Sequence, residues 1–193
     1  MIETYKRNNV AFDLDGTLIA LTEVLFPILS AMVKKDVSKY YKNRKSFDLE
    51  IPEIGLTTKV IERGLKISYR LHNYVAVYEG VYDLFFELYE RTGDPIRIIT
   101  ARPVWCAGHT HKLVRRIMQD IPYILIFSKK KEIYLKGFKY FVDDRRKMAL
   151  DLANKGFIVF VPCCNYNEGI DHPNVIYIDK FKELQEKYIH LFI

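Results

Sequence analysis

With 193 residues the chain has room for one domain with a sizeable core, or for a core that carries a modest insertion. An apolar share of 49% and a charged share of 28% are ordinary for a soluble globular protein, and no apolar run approaches the ~20 residues a bilayer-crossing helix needs, so a membrane partner is not expected. Three cysteines, two of them adjacent, exclude a disulfide framework or a zinc site and point to a reducing, cytoplasmic setting, while the net charge of +6 is concentrated in one segment.

Met1 to Asn9 is polar and mixed in charge, unlike a signal peptide. Val10-Ala11-Phe12-Asp13 then reads as a buried strand ending on a carboxylate. Beyond Leu18, apolar residues recur at helical spacing (Leu21, Val24, Leu25, Ile28, Leu29, Met32), and Pro27 predicts a break within that pattern. Lys34 to Lys45 follows, with six basic residues (Lys34, Lys35, Lys39, Lys42, Arg44, Lys45) against Asp36, so it carries +5 of the total; Tyr40 and Tyr41 lie inside it. Such a stretch reads first as a solvated linker or helix face, with nucleic-acid contact or attraction of phosphorylated substrates as alternatives. A loop is expected through Pro52 and Gly55. A helix is expected from about Thr57 to Asn73, with Val60, Gly64, Ile67, Leu71 and Tyr74 on one face, and another after Glu79-Gly80, ending at Thr92-Gly93-Asp94-Pro95.

From that turn the rhythm becomes strand and helix in alternation. Strands are expected at Ile96 to Thr100, Tyr123 to Phe127, Phe138 to Val142, Phe157 to Val161 and Val175 to Ile178. Helices are expected at Val104 to Asp120, Glu132 to Lys136, Arg146 to Lys155 and Lys180 to His190. The pattern predicts an α/β fold: a Rossmann-like parallel sheet with helices on both faces. The stretch between the first and second strands predicts a small helical cap over residues 20–77, set into a core of residues 1–19 and 78–193.

Chemistry in a parallel sheet gathers at the carboxyl ends of the strands. There the sequence offers Asp13-Leu14-Asp15-Gly16-Thr17, then Thr100-Ala101-Arg102, then Asp143-Asp144-Arg145, with Lys129-Lys130-Lys131 after the third strand. Four carboxylates brought to one edge repel unless a cation or proton intervenes, and oxygen-only ligands favour Mg²⁺. A carboxylate nucleophile divides phosphoester hydrolysis into two easier steps, and a second carboxylate two residues on can serve as general acid and base. Gly16 permits a tight turn that aims N–H groups at a phosphate.

The run Phe12 to Leu18, FDLDGTL, resembles motif I of the haloacid dehalogenase (HAD) superfamily. Ile98 to Arg102 resembles motif II, Lys131 is placed like motif III with Lys129 and Lys130 as neighbouring alternatives, and Phe141 to Arg145 resembles motif IV. The resemblance implies Asp13 as nucleophile and metal ligand, and Asp15 as acid/base that also lends its backbone carbonyl to the metal. It implies Thr100, Ala101 and Lys131 as phosphate binders, Asp144 as a direct Mg²⁺ ligand and Asp143 as a ligand through water. Asp15 favours a phosphatase, since dehalogenating members lack it. Arg102 could touch substrate or form a structural ion pair, and Arg145 is read as orienting its neighbouring carboxylates. Trp105 is read as core packing, with a place at the border of the site as the alternative. His109 and His111 are read as surface residues, Cys163 and Cys164 as ordinary thiols.

Beyond the superfamily the chain is similar to the 5'(3')-deoxyribonucleotidase family, on the cap position, Tyr78-Glu79-Gly80-Val81, Ile99 to Pro103 and Val142 to Arg145. That implies a small phosphomonoester substrate, a (deoxy)nucleoside monophosphate, closed in by a cap whose aromatics (Phe26, Tyr40, Tyr41, Phe47, Tyr69, Tyr74) could stack on a base. Two alternatives stand beside it. One is a phosphatase of polynucleotide 3' ends, similar to the phosphatase half of polynucleotide kinase–phosphatases and favoured by the basic segment. The other is a non-catalytic phosphate-binding module.

Overall fold

The structure is a computed structural model that describes residues 7–42, 50–164 and 166–193. Six strands form one sheet in the order β3-β2-β1-β4-β5-β6: β1 (Val10–Phe12), β2 (Ile96–Thr100), β3 (Tyr123–Phe127), β4 (Tyr140–Val142), β5 (Ile158–Pro162) and β6 (Val175–Ile178). All five pairings are parallel. β1 therefore lies in the middle, between β2 and β4, where the strand order reverses. That is the position where open α/β sheets place their ligands.

The period-two alternation of side chains divides the core. Val10, Phe12, Ile96, Ile98, Tyr140, Val142 and Phe160 face one layer, where they meet α4 (Val81–Thr92), α5 (Ala107–Met118) and the closing helical segment. Phe12 meets Phe85 of α4 edge-on, with ring centroids 4.8 Å apart. Ala11, Ile99, Phe141, Val159 and Val161 face the other layer, covered by α6 (Arg146–Ala153). Each large side chain buried in this way contributes ~1.5–3 kcal/mol. The closing segment begins as α7 (Phe181–Glu183) and continues as a π turn over Leu184–Tyr188 and a 3-10 turn over Ile189–Leu191. No helix among the described residues is long and apolar enough to cross a membrane.

Between β1 and α4 lies a helical insertion: α1 (Leu21–Val33), α2 (Val37–Tyr41), a 3-10 turn (Pro52–Ile54) and α3 (Thr58–Arg70). It has its own core of Leu25, Leu29, Val37, Ile51, Ile54, Leu56 and Ile61. α1 and α3 approach closely because Gly64 carries no side chain: a Cβ there would lie 2.5 Å from Leu29 Cδ2. The chain leaves and re-enters the core along adjoining paths. Ala20 donates to the Ala76 carbonyl (2.9 Å), Tyr78 to the Leu18 carbonyl (3.0 Å), and Ile19 bridges Val77. Arg116 of α5 holds the returning path through the carbonyls of Asn73 (2.6 Å) and Val75.

Two local expectations are corrected. Pro27 does not break the first helix but sits inside α1. Its exposed ring faces solvent, where the unpaired Glu23 carbonyl can take water, while buried Leu25 and Leu29 anchor the helix on either side. The inward face of α3 is also turned from the expected one: Ile61, Gly64, Ser68 and Tyr69 are buried, whereas Ile67 and Tyr74 are exposed. Of the basic segment, Arg44 and Lys45 lie outside the described residues, as does Phe47.

Candidate active site

Asp13 follows β1 directly, and its N–H still pairs with the Val142 carbonyl (2.8 Å), so the β1–β4 pairing fixes its position. Asp143 and Asp144 follow β4 in the adjacent position. Oxygen atoms from Asp13, Asp143 and Asp144 all lie within 4.8 Å of one another, and all three residues are buried. Lys131, in the turn after β3, is fully buried beneath them. Its Nζ lies 2.6 Å from Asp13 Oδ1 and 2.7 Å from Asp143 Oδ2. One ammonium thus bridges two of the three carboxylates.

Two of the carboxylates are also oriented by neutral or peptide donors. Asp143 Oδ1 accepts the Arg145 N–H at 2.9 Å, with Arg145 Nε at 3.5 Å. Asp144 Oδ1 accepts the Thr17 hydroxyl (3.2 Å) and its Oδ2 the Tyr166 hydroxyl (2.5 Å). The Asp144 N–H donates back to Thr17 Oγ1, and Asn167 Nδ2 donates to the Asp144 carbonyl. The loop between is shaped by Gly16 at φ +80°, where a Cβ would lie 2.2 Å from Asp144 Oδ2. Only glycine lets backbone and carboxylate come so near.

Burial lifts the Asp13 carboxyl to about 6, with Lys131 opposing. Burial, then the charges of Asp143 and Asp13, lift Asp144 to about 8. Asp143 is also penalised by burial, but Lys131 and Arg145 outweigh it and hold its carboxyl below the usual range. Burial and the Asp144 charge keep the Tyr166 phenol protonated, so it remains a donor. All-oxygen donors, two of them lifted by burial and by neighbouring carboxylates, suit a hard divalent cation.

Asp15 stands apart from that cluster. Its carboxylate is gripped by Arg102, Nη2 to Oδ1 at 2.6 Å and Nε to Oδ2 at 2.8 Å. The guanidinium is buried and lies over the Tyr69 ring of α3, 4.5 Å from its centroid. A cleft of about 150 Å³ opens over these groups. Asp13, Asp15, Ala101 and Arg102 form its floor with Arg145 and Tyr166, and Leu21, Leu25, Leu65 and Tyr69 of the insertion form its roof.

No family model matches the sequence, and no curated protein matches it. Solved structures do. A HAD hydrolase of family IA, variant 3, from Entamoeba histolytica matches with a TM-score of 0.63 at 16% identity, over 95% of this chain and 97% of that one. A predicted phosphoglycolate phosphatase from Haemophilus somnus gives 0.62 at 17% identity, over 92% of this chain and 96% of its own. CbbY from Rhodobacter sphaeroides, solved in complex with phosphate, gives 0.57 at 14% identity, over 93% and 96%. The chain has the haloacid dehalogenase fold.

On that fold the expected residues fall unevenly. Asp13, Asp143, Asp144 and Lys131 are drawn together, and Lys129 and Lys130 are exposed away from them. Ala101 reaches the cleft. Thr100 is fully buried, with its hydroxyl accepting the Arg102 N–H at 3.2 Å, and does not line it. Arg102 makes the structural ion pair, and Arg145 braces Asp143. Trp105 corrects the core reading: it is 51% exposed and leans on Tyr69, ring centroids 6.1 Å apart, because the 3-10 turn Val104–Cys106 buries Cys106 instead. Tyr166 was not foreseen. The available signal was its place just past β5, the strand beside β4.

Proposed function

We propose that the protein is a Mg²⁺-dependent phosphomonoesterase that works through a phosphoaspartate on Asp13. The observation that carries this reading is the buried trio Asp13, Asp143 and Asp144, with Lys131 between two of them, at the carboxyl ends of β1 and β4. Asp13, Asp144 and the Asp15 backbone carbonyl would hold the metal, with Asp143 acting through water. When bound, the ion would neutralise charge on the phosphoryl oxygens and reduce the repulsion between the carboxylates.

A carboxylate oxygen of Asp13 attacks phosphorus, and the bond to the ester oxygen breaks. The leaving oxygen takes a proton from the Asp15 carboxyl. Asp15, now a carboxylate, removes a proton from water, whose oxygen displaces Asp13 and releases phosphate. Lys131 and the backbone of Ala101 would receive the phosphoryl oxygens, with Thr100 supporting that strand end. Asp15 must leave Arg102 to reach the leaving oxygen. Because Arg102 lies on Tyr69, release is coupled to movement of residues 20–77, which we read as a cap.

A small substrate suits this cleft better than a polymer. Lys34, Lys35, Lys39 and Lys42 do not line it, and apolar side chains of the insertion roof it. We propose a (deoxy)nucleoside monophosphate, with Tyr69 as the aromatic nearest the leaving group. At about 150 Å³ the cleft is below the ~300–1,000 Å³ of ordinary ligand sites, so such a substrate enters with the cap raised. The test is a steady-state assay over a mononucleotide panel, simple sugar and glycolate phosphates and a 3'-phosphorylated oligonucleotide, with Asp13→Asn as control. Loss of turnover in Asp13→Asn is expected. Retained turnover would remove the mechanism, and preference for the oligonucleotide would remove the substrate assignment alone.

A further inference from the structure

At the opposite end of the sheet from the candidate active site, where β1, β2 and β4 begin, lies a second cavity of about 370 Å³. Arg7, Asn8, Asp94, Arg97, Lys136 and Phe138 line it. Its volume is within the ~300–1,000 Å³ range of ligand clefts. Three side-chain cations face one carboxylate. Asp94 is already engaged, its Oδ2 accepting the Asn8 N–H at 2.9 Å. None of Arg7, Arg97 and Lys136 enters an ion pair among the described residues.

Two buried donors at this place have no partner: Arg97 Nε and Asn8 Nδ2. Asn8 is only 8% exposed, and its Oδ1 accepts the Val10 N–H at 3.0 Å, which fixes the amide with its NH₂ group as the orphan. Arg97 is held with its guanidinium over the Phe138 ring, 4.4 Å from the centroid. Buried donors are paired in the great majority of folded proteins, so two orphans on residues that line one cavity call for an acceptor. A cation fork, an ammonium and an amide NH₂ accept nothing, so the missing group is an acceptor, and the surplus positive charge selects an anion. The excess of three cations over one carboxylate matches a doubly ionised oxyanion, and guanidinium with ammonium is the donor set that phosphoryl groups take.

We propose that this cavity is a second anion site, which binds the phosphoryl group of inorganic phosphate or of a small phosphomonoester at the opposite end of the sheet from Asp13. It stands independently of the proposed catalytic reading. Arg97 is a residue of β2, the strand that ends in Thr100, Ala101 and Arg102, so a ligand here bears on the same strand that supplies the catalytic cleft.

The test follows arginine Nε–H resonances in ¹⁵N-labelled full-length protein during titration with inorganic phosphate, and separately with phenylphosphonate, which cannot be hydrolysed. Ionic strength is held constant with chloride and no divalent cation is added. A saturable shift of the Arg97 resonance, assigned from Arg97→Gln, is expected with both probes and is expected to persist in Asp13→Asn. Tighter binding of the phosphonate identifies an organic phosphate as the occupant; equal or tighter binding of phosphate identifies the free ion. Lys136→Gln and Arg7→Gln alter exposed residues and should each weaken the interaction about tenfold, the loss of one charge-assisted hydrogen bond. An Arg97 resonance that does not move, that moves equally with chloride, or that titrates unchanged in both neutralised variants would overturn the proposal.

Discussion

Gly16→Ala is the smallest change that probes the close approach at the candidate metal site. At φ +80° an L-residue incurs ~1–2 kcal/mol of left-handed strain. The new Cβ would also lie 2.2 Å from Asp144 Oδ2 and 2.7 Å from its Cγ, so the carboxylate must retreat. The retreat, about 1 Å to restore ordinary contact, breaks its alignment with the Tyr166 and Thr17 hydroxyls, at ~0.5–1.5 kcal/mol each. The total, about 2–5 kcal/mol, corresponds to a Tm lower by roughly 5–15 °C in a domain of this size. Scanning calorimetry of the metal-free protein measures that loss, and titration calorimetry with Mg²⁺ should show affinity down about tenfold or more. An alanine variant with an unaltered Tm and unaltered Mg²⁺ affinity would refute the argument that this glycine exists to admit Asp144.

Other outcomes follow from the same geometry. Lys131→Met leaves Asp13 and Asp143 buried without their shared ammonium, and should cost ~3–5 kcal/mol in urea unfolding; a neutral result would mean the pair titrates away unaided. Arg102→Gln removes the cation that Asp15 must leave, so alkyl phosphates, which need protonation of the leaving oxygen, should be hydrolysed faster relative to p-nitrophenyl phosphate, which does not. An unchanged ratio between the two substrates would count against Arg102 holding the acid back. In metal-free protein Asp13 and Asp144 have folded pKa values of about 6 and about 8, above the unfolded carboxylate, so the fold binds more protons than the unfolded chain. Stability should therefore fall as pH rises from about 4 to about 8, and saturating Mg²⁺ should flatten the slope. A flat calorimetric profile without metal would contradict the burial argument.

The sheet was legible because its strands are short apolar runs punctuated by chemistry-bearing residues, and Tyr123–Phe127 coincides with its expected bounds. The carboxylates were legible because they follow β1 and β4 immediately, and a strand end is a fixed place in a parallel sheet. What escaped depended on partners far away in sequence. Pro27 stays helical because Leu25 and Leu29 are anchored against α3, which its own neighbourhood does not reveal. The buried face of α3 follows Tyr69, which packs under Arg102, a core residue of another segment that the helix's own periodicity does not reveal. Tyr166 reaches Asp144 from a loop with no periodicity, so only its place just past β5 sets it apart from a surface tyrosine.

The two crossings between sheet and insertion run side by side, hydrogen-bonded to each other at Leu18–Tyr78 and Ala20–Ala76. The insertion is thus a detour that departs and returns at nearly one point, and Arg116 fastens the return to the core. The sheet's strand order, its two packed layers and the Asp13 turn would close in the same way whatever length of chain lay outside those crossings. Loop-closure entropy grows only as the logarithm of that length, by ~0.6 kcal/mol per doubling. On the proposed reading, the roof of the cleft could therefore be lengthened, shortened or exchanged while the carboxylates beneath it keep their spacing, so that recognition and chemistry would be separable in the chain.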